Sequence, residues 1–230
     1  MLLRHGRTST NVEGVLAGWS DVELDEVGAE QAEAAAGRLA GVPLKAVVSS
    51  PLRRCQQTAY AVAARQPELT VTTEERLGEC RYGDWQGRKL SELSGDPLWP
   101  VVQYHPSAAV FPGTGAEPLA ATAARAVAAI REFDAVVSAE HGPDAVWLAC
   151  SHGDVIKAIV ADALGLHLDQ FQRIVVDPCA VTVIRYTPLR PFLVRLNDTG
   201  GDLAGLFAVP GSVSDSSDAA VGGGAGTRAV

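Results

Sequence analysis

The sequence predicts an α/β fold: a three-layer α/β/α sandwich built around a mostly parallel mixed sheet. Short β-branched apolar runs recur along the chain, and Ala-rich stretches typical of helices lie between them. Strands that alternate with helices usually form a sheet that helices cover on both faces. Several of the apolar runs also end in charged or imidazole side chains, which is typical of a site at the carboxyl edge of such a sheet.

The strands and helices are predicted from composition and from the residues that end each run. The last two strands are close enough to form a hairpin across Thr187–Pro191. The predicted strands are residues 1–3, 45–50, 145–150, 180–186 and 192–196. The predicted helices are residues 25–40, 52–64, 119–139 and 154–164.

Two segments interrupt this alternation. Residues 96–118 contain five prolines and little periodicity, which favours a long loop or a mobile lid. Residues 209–230 are rich in Gly, Ser and Ala and contain too little apolar surface to offset the entropy of ordering. We therefore predict one domain over residues 1–208 and a disordered tail over residues 209–230.

Charge and composition narrow the function classes. The 230-residue chain has a formal net charge of −8, which argues against a nucleic-acid partner or an anionic membrane surface. Its four cysteines are scattered, and neither a signal peptide nor a membrane-spanning run is present. These features predict a cytoplasmic protein in which any anion site is a local concentration of positive charge.

Such a concentration is predicted where three strands end. Arg4-His5-Gly6 follows the first strand, and His152-Gly153 follows the strand AVWLAC in the same arrangement. A third strand runs into Arg53 and Arg54, of which only one can face the same site, because adjacent helical residues point apart. Glycine after each histidine lets backbone N–H groups approach a ligand, and a following helix adds its free N–H groups.

These residue types suit the transfer of a phosphoryl group. Arginine forks match phosphate oxygens, and a neutral imidazole nitrogen can attack phosphorus. Expulsion of an alkoxide also requires a proton donor. The Glu-rich stretch EERLGECRYGDWQG contains the candidate donor, Glu79.

Four ordered motifs between Met1 and Leu206 resemble those of the histidine phosphatase superfamily, in its phosphoglycerate-mutase-like branch. They are RHGxTxxN, SPLxR, LxE followed by YG, and SHG. The resemblance implies the phosphoglycerate-mutase-like fold, with His5 as the nucleophile that becomes phosphohistidine and Glu79 as the general acid. It also implies a phosphate pocket and a set of substrate-binding groups. The pocket residues would be Arg4, Arg54 and His152, and the substrate-binding residues would be Asn11, Gly153 and Tyr82. Arg7 stands at the rim, where many members have Glu or Gln, as a further substrate-binding candidate.

Metal and nucleotide chemistry are the rival interpretations. Asp154 lies two residues after His152, but the neighbouring arginines would repel a divalent cation, and no third ligand has a suitable spacing. Neither a P-loop nor a GxGxxG motif follows a strand. We therefore predict no metal and no cofactor.

Three functions remain open on the same site. The first is a phosphatase that hydrolyses a small phosphate ester, and the second is a phosphoglycerate mutase, which must grip a second anionic group of its substrate. Residues 96–118 contain no Lys or Arg, and Leu90 stands where the mutases of the family have a lysine, so the phosphatase is favoured. The third is a non-catalytic binding protein, which the intact set of His5, Arg54, Glu79 and His152 disfavours. The family further implies that the chain can form a homodimer.

Overall fold

The computed structural model describes residues 1–201 and 221–224. Its one six-stranded sheet has the strand order β3-β2-β4-β1-β5-β6. The strands are β1 (Leu2–Arg4), β2 (Leu44–Ser49), β3 (Val71–Thr73), β4 (Val146–Ser151), β5 (Val181–Arg185) and β6 (Phe192–Asp198).

The centre of the sheet is parallel and one side of it is antiparallel. Strand β4 pairs in parallel with both β1 and β2, and β2 pairs in parallel with β3. Strand β5 runs antiparallel to β1, and β6 forms the expected hairpin with β5. The mostly parallel mixed sheet predicted from the sequence is therefore confirmed.

Helices cover both faces of this sheet. Helices α2 and α3 pack on one face, where Ala32, Ala36 and Cys55 are buried. Helices α6 and α7 pack on the other, where Ala126 and Ile156 are buried. The helices are α1 (Ser9–Val12), α2 (Glu26–Leu39), α3 (Arg53–Ala63), α4 (Leu90–Leu93), α5 (Trp99–Tyr104), α6 (Leu119–His141) and α7 (Gly153–Ala163).

Residues 96–118 pack into the domain and contain α5 and a 3₁₀ turn (Pro106–Ala108), so the segment is only in part the long loop predicted from the sequence. Pro100 occupies the first turn of α5, a position where proline is tolerated because that N–H has no helical partner. Trp99, Val102 and Phe111 are buried in the core, and Phe111 packs edge-on against Tyr82 with ring centroids 5.0 Å apart. The segment lacks periodicity because its apolar residues point inward from short turns.

Of the predicted tail, only Val221–Gly224 is described. Val221 begins a 3₁₀ turn and is buried against the core that faces α7. The other residues of the stretch 209–230 lie outside the described part of the chain. Within residues 1–201 and 221–224, no helix is long and apolar enough to span a membrane.

Candidate active site

The two histidines meet because their strands lie side by side. Strands β1 and β4 are parallel with Arg4 opposite Ser151, so the residue after each strand emerges at the same edge. The N–H of His5 donates to the carbonyl oxygen of Ser151 at 3.0 Å. The imidazole rings of His5 and His152 are then 5.2 Å apart between centroids, in an edge-to-face arrangement.

His5 is buried and held in one tautomer. Its Nδ1 lies 2.7 Å from the carbonyl oxygen of Gly6, an acceptor, so Nδ1 carries the proton. The pKa of His5 lies well below its usual value, first because of burial and then because of the charges of Arg54 and Arg4. The ring is therefore neutral near pH 7, with a lone pair on Nε2, as a nitrogen nucleophile requires.

His152 is buried as a neutral acceptor beside Arg54. Its Nδ1 lies 3.2 Å from an Arg54 guanidinium nitrogen, which can only donate, and its Nε2 lies 2.7 Å from Ser50 Oγ. Burial, followed by the charge of Arg54, lowers the pKa of His152 well below its usual value. The Nε2–H of His152 therefore donates a hydrogen bond to Ser50 Oγ. The only sequence signal for this role of Ser50 was its place at the start of the SPLxR motif.

Arg54 is fixed by backbone carbonyls of the loop that follows α1. Its guanidinium donates to the oxygen of Gly18 at 2.8 Å and to that of Ser20 at 3.2 Å. Arg53 instead reaches Glu23 at the surface. Only one of the adjacent arginines thus faces the histidines, as their helical geometry predicted.

Glu79 has the electrostatic environment of a proton donor. Burial and, next, the charge of Asp154 raise the pKa of Glu79 to about 7, against the opposing effects of the Cys80 N–H, Arg54 and Arg4. The Cys80 N–H donates to Glu79 Oε1 at 3.0 Å. A large share of the Glu79 carboxyl groups are therefore protonated at neutral pH.

Two residues without a sequence signal hold the backbone of Glu79. The indole N–H of Trp19 and a guanidinium N–H of Arg125 both donate to its carbonyl oxygen, at 2.5 and 3.0 Å. Arg125 also donates to the carbonyl oxygens of Arg76 and Gly78, at 2.6 and 2.8 Å. These contacts join α6 to the Glu79 segment, a pairing of distant residues that no local pattern reveals.

A buried polar network lies beneath Glu79. The hydroxyl of Tyr82 donates to Asp154 Oδ2 at 2.9 Å, and Lys157 Nζ lies 3.4 Å from Asp154 Oδ1. Burial, followed by the charge of Asp154, raises the pKa of Tyr82 well above its usual value, so this hydroxyl keeps its proton. Asp154 and Lys157 are 1% and 4% exposed, a degree of burial that charged groups tolerate only when they are paired.

One cavity brings together five of the residues expected to act on the substrate. His5, Arg54, Glu79 and Tyr82 line it. Asn11 also lines it, and its Oδ1 is held by the N–H of Thr8 at 3.0 Å, which leaves its amide nitrogen to donate to a ligand. The rest of the wall comes from Thr8, Thr10, Gly14, Val15, Leu16, Ala17, Gly18, Leu90, Val221, Gly222 and Gly224.

Four expected residues lie behind or away from the cavity surface. Arg4 and His152 form buried support next to it, and Gly153 begins α7 beneath them. Arg7 points elsewhere, since its guanidinium forms an ion pair with Asp25 at 2.8 Å. No residue of 96–118 lines the cavity, so the apolar contribution expected from that segment comes from Leu16 and Leu90.

The cavity is also closed in part by the C-terminal segment, which the sequence did not place there. Arg4 donates to the carbonyl oxygen of Gly224 at 2.6 Å. The N–H of Gly222 donates to Asp154 Oδ2 at 3.0 Å. The segment Val221–Gly224 therefore touches the buried guanidinium of Arg4 and the buried carboxylate of Asp154 at the same time.

The donor set does not resemble a metal site. Within residues 1–201 and 221–224, no three His, Cys, Asp or Glu side chains are grouped so that they could hold a metal ion. The carboxyl groups here lie among Arg4, Arg54 and Lys157, whose charges oppose a bound cation.

A family model for the histidine phosphatase superfamily (branch 1) matches residues 1–199. The chain belongs to this superfamily. It is 34% identical over 169 residues to a glucosyl-3-phosphoglycerate phosphatase of Mycobacterium tuberculosis, over 72% of this chain and 75% of the relative. It is 29% identical over 181 residues to a 2,3-bisphosphoglycerate-dependent phosphoglycerate mutase of Gloeobacter violaceus, over 78% and 81% of the two chains.

The fold of this histidine phosphatase superfamily member matches that of solved structures. A mycobacterial glucosyl-3-phosphoglycerate phosphatase in complex with VO₃ superimposes with a TM-score of 0.75 and 29% identity. The match covers 86% of this chain and 97% of the other. The phosphoglycerate-mutase-like fold expected from the sequence motifs is thus confirmed.

Proposed function

We propose that the protein is a phosphatase that hydrolyses a small organic phosphate monoester through a phosphohistidine on His5. One observation carries this proposal: a neutral His5 and a largely protonated Glu79 line the same cavity as Arg54. A neutral imidazole can attack phosphorus, and a protonated carboxyl can release the alcohol. The two protonation states that the first chemical step requires are therefore both populated near pH 7.

In the first step, the lone pair on His5 Nε2 forms a bond to phosphorus, and the bond from phosphorus to the ester oxygen breaks. Glu79 gives its proton to that oxygen, so the alcohol leaves neutral. Arg54, supported by Arg4 and His152, offers N–H groups to the phosphoryl oxygens, where negative charge concentrates. The hydrogen bond from His5 Nδ1–H to Gly6 keeps the ring oriented as it becomes positively charged.

In the second step, a water oxygen attacks phosphorus and the bond to His5 Nε2 breaks. The Glu79 carboxylate accepts a proton from this water, which restores the acid form and releases inorganic phosphate. Asn11 and the backbone N–H of Gly153 are proposed to bind phosphate oxygens in both steps, and Tyr82 to form the wall beside Glu79. For Arg7, which pairs with Asp25, no substrate contact is proposed.

The charge of the cavity wall supports hydrolysis rather than isomerisation. Among the described residues that line it, Arg54 is the only Lys or Arg. A phosphoglycerate mutase must hold a carboxylate as well as a phosphate and keep water away from the phosphohistidine. Leu16 and Leu90 instead add apolar surface to the cavity wall.

A phosphoglycerate mutase is the second candidate, favoured by the similarity to the Gloeobacter violaceus mutase. A non-catalytic phosphate-binding protein ranks last, because His5, Arg54, Glu79 and His152 are all buried in one arrangement suited to turnover. Incubation with 3-phosphoglycerate and 2,3-bisphosphoglycerate separates the first two candidates. We expect inorganic phosphate or no reaction, and rapid formation of 2-phosphoglycerate would favour the mutase.

The phosphohistidine itself is tested by rapid quench with a ³²P-labelled monoester. We expect an acid-labile, base-stable phosphoprotein in the native enzyme and none in His5→Ala. The same substitution should lower turnover by about 10³–10⁶-fold, as loss of a covalent nucleophile does. Equal labelling of His5→Ala would refute the assignment.

The remaining proposals concern the cellular location, partners, cofactors and oligomeric state of the enzyme. We propose that it is cytoplasmic, since its four cysteines are free and buried, a state that reducing compartments preserve. We propose a small phosphate ester as its partner, with no nucleic acid or membrane partner, because the net charge is −8. No metal or cofactor is required in the proposed steps, and pairing of two copies into a homodimer is proposed from the family alone.

A further inference from the structure

The loop that follows α1 contacts both the arginine proposed to bind phosphate and the proposed general acid. The guanidinium of Arg54 donates to the carbonyl oxygen of Gly18 at 2.8 Å and to that of Ser20 at 3.2 Å. Trp19 lies between these two residues, and its indole N–H donates to the carbonyl oxygen of Glu79 at 2.5 Å. Three consecutive residues therefore join Arg54 to the backbone of Glu79.

Local contacts hold this loop of residues 18–20 in its conformation. Gly18 has a φ of +52°, which favours glycine, and a Cβ there would lie 2.7 Å from Gln86 Oε1. The backbone N–H of Trp19 donates to the same oxygen of Gln86 at 2.9 Å. Because Gly18 lines the cavity, the loop that carries Trp19 is itself part of the cavity wall.

The indole ring of Trp19 is held against the segment that contains Glu79. The guanidinium of Arg81 stacks over the ring, with Cζ 3.6 Å from the ring centroid, within the range of a cation–π interaction. A Cβ at Gly78 would lie 2.5 Å from Trp19 Cζ2, so the edge of the ring packs directly on the backbone before Glu79. The ring cannot turn away from Glu79 without the loss of these contacts.

The carbonyl oxygen of Glu79 accepts from two side chains, which hold it relative to different parts of the fold. Arg125 donates to this oxygen from α6 at 3.0 Å. Trp19 donates to it from the loop whose carbonyl oxygens accept from Arg54. Of these two donors, Trp19 is therefore the one that relates the position of Glu79 to the guanidinium of Arg54.

We propose that Trp19 is a positioning residue for the general acid Glu79, and that it acts by tying the backbone of Glu79 to the loop that Arg54 contacts. The proposal rests on the proposed phosphatase function for the roles of Glu79 and Arg54. A general acid must lie about 2.6–3.2 Å from the oxygen that it protonates, and a misplacement of about 1 Å can cost about 10²-fold in rate. Trp19 thereby sets the distance between the Glu79 carboxyl group and the ester oxygen of a phosphate bound at Arg54.

Trp19→Phe tests this role, because it removes the indole N–H and keeps an aromatic ring. We expect kcat for an alkyl phosphate to fall about 10–100-fold, a part of the 10²–10⁴-fold that general acid catalysis contributes. The kcat for p-nitrophenyl phosphate should change little, since its leaving group needs no proton. The Kd of orthovanadate, measured by isothermal titration, should stay close to the native value, because Arg54 keeps both of its carbonyl partners.

Trp147→Phe is the matched control. Trp147 is buried near the amino end of β4, and its indole N–H donates to Asp134 Oδ1 at 3.0 Å. Neither Trp147 nor Asp134 lines the cavity that contains Glu79. The substitution removes the same kind of hydrogen bond, and it should leave the ratio of the two rates unchanged.

A titration of Glu79 by carboxyl-carbon NMR gives a readout that needs no turnover. Burial is the largest cause that raises the pKa of Glu79 to about 7, so release of the carboxyl group toward water in Trp19→Phe should lower this pKa. Greater distance from Arg54 alone would raise it, but burial has the larger effect. The charged groups that act on Glu79 are Asp154, Arg54 and Arg4, and the variant retains all three.

The native chain offers a measurement that does not depend on the folding of a variant. The indole N–H of Trp19 should exchange slowly with solvent, and its NMR signal should move when orthovanadate binds. Equal losses of rate on both esters or an unchanged pKa of Glu79 in Trp19→Phe would overturn the proposal, as would an indole signal that exchanges rapidly and ignores vanadate. If the native chain hydrolyses neither ester, the phosphatase function fails, and the titration and the indole signal still test the link between Trp19 and Glu79.

Discussion

Asp154 and Glu79 are two carboxyl groups buried at one site, and the charge of Asp154 raises the pKa of Glu79. Burial of Glu79 is the larger cause, and Arg54 and Arg4 act in the opposite direction. Tyr82 and Lys157 both donate hydrogen bonds to the Asp154 carboxylate. The network therefore holds the proton on Glu79 without touching the substrate, which makes Asp154 a positioning residue.

Asp154→Asn should shift the alkaline limb of the pH profile. Without the neighbouring charge the pKa of Glu79 falls below about 7, so the acid form is lost at lower pH. We expect kcat/KM for an alkyl phosphate to decline at a lower pH than in the native enzyme, with little change for p-nitrophenyl phosphate, which needs no proton. Asp162→Asn, on the outer side of the same helix in a pair with Arg131, is the matched control. An alkaline limb at the same pH as in the native enzyme would show that Asp154 does not affect the pKa of Glu79.

Gly28 is required for close packing next to the nucleophile. A Cβ at Gly28 would lie 1.9 Å from the carbonyl oxygen of Arg7, so the start of α2 would have to move away from the segment that follows His5. We expect Gly28→Ala to lower the free energy of unfolding by about 1–3 kcal/mol, the cost of overpacking. Chemical denaturation monitored by tryptophan fluorescence measures this change.

The control lies in the same helix. A Cβ at Gly37 meets nothing within 4 Å, so Gly37→Ala should stabilise the protein by about 0.5–1 kcal/mol through helix propensity alone. If the two substitutions had the same effect, the close contact of Gly28 with Arg7 would not limit stability.

The site residues that follow strand ends could be predicted from the sequence. His5 and His152 could be paired because parallel strands bring their carboxyl ends to one edge, and the observed register of Arg4 with Ser151 follows that rule. Strand β3, in contrast, has only three residues and lies at the edge of the sheet, too short for an alternation to be visible. The contact of Arg4 with Gly224 joins opposite ends of the chain and leaves no local pattern.

Arg7 shows a second limit of sequence reasoning. Its position in the first motif suggested that it lies at the rim of the cavity, but its guanidinium forms an ion pair with Asp25. Asp25 also caps α2 by accepting from the Gly28 N–H at 2.7 Å. Which of two anions an arginine meets is decided by tertiary packing, and the motif alone does not contain that information.

Activity should not depend on a divalent metal ion. The cavity offers Arg54 and a neutral His5 where a cation would need several anionic or neutral donors directed at one point. We expect full activity after dialysis against EDTA and strong inhibition by orthovanadate, which imitates five-coordinate phosphorus. A loss of activity that zinc or magnesium restored would contradict the metal-free mechanism. The metal content of the purified protein would then identify the ion.

Replacement of Glu79 tests how the leaving group departs. An alkoxide is a poor leaving group and needs a proton as the P–O bond breaks, whereas p-nitrophenolate leaves without one. General acid catalysis contributes about 10²–10⁴-fold, so Glu79→Gln should lower kcat for an alkyl phosphate by that amount and kcat for p-nitrophenyl phosphate much less. Glu117→Gln, which removes a carboxylate that pairs with Arg125 outside the cavity lining, serves as the control for loss of a nearby charge and should not discriminate between the two substrates. Equal losses on both substrates in Glu79→Gln would assign Glu79 a role in positioning the phosphate. The buried carboxyl of Asp154 would then be the next candidate for the acid.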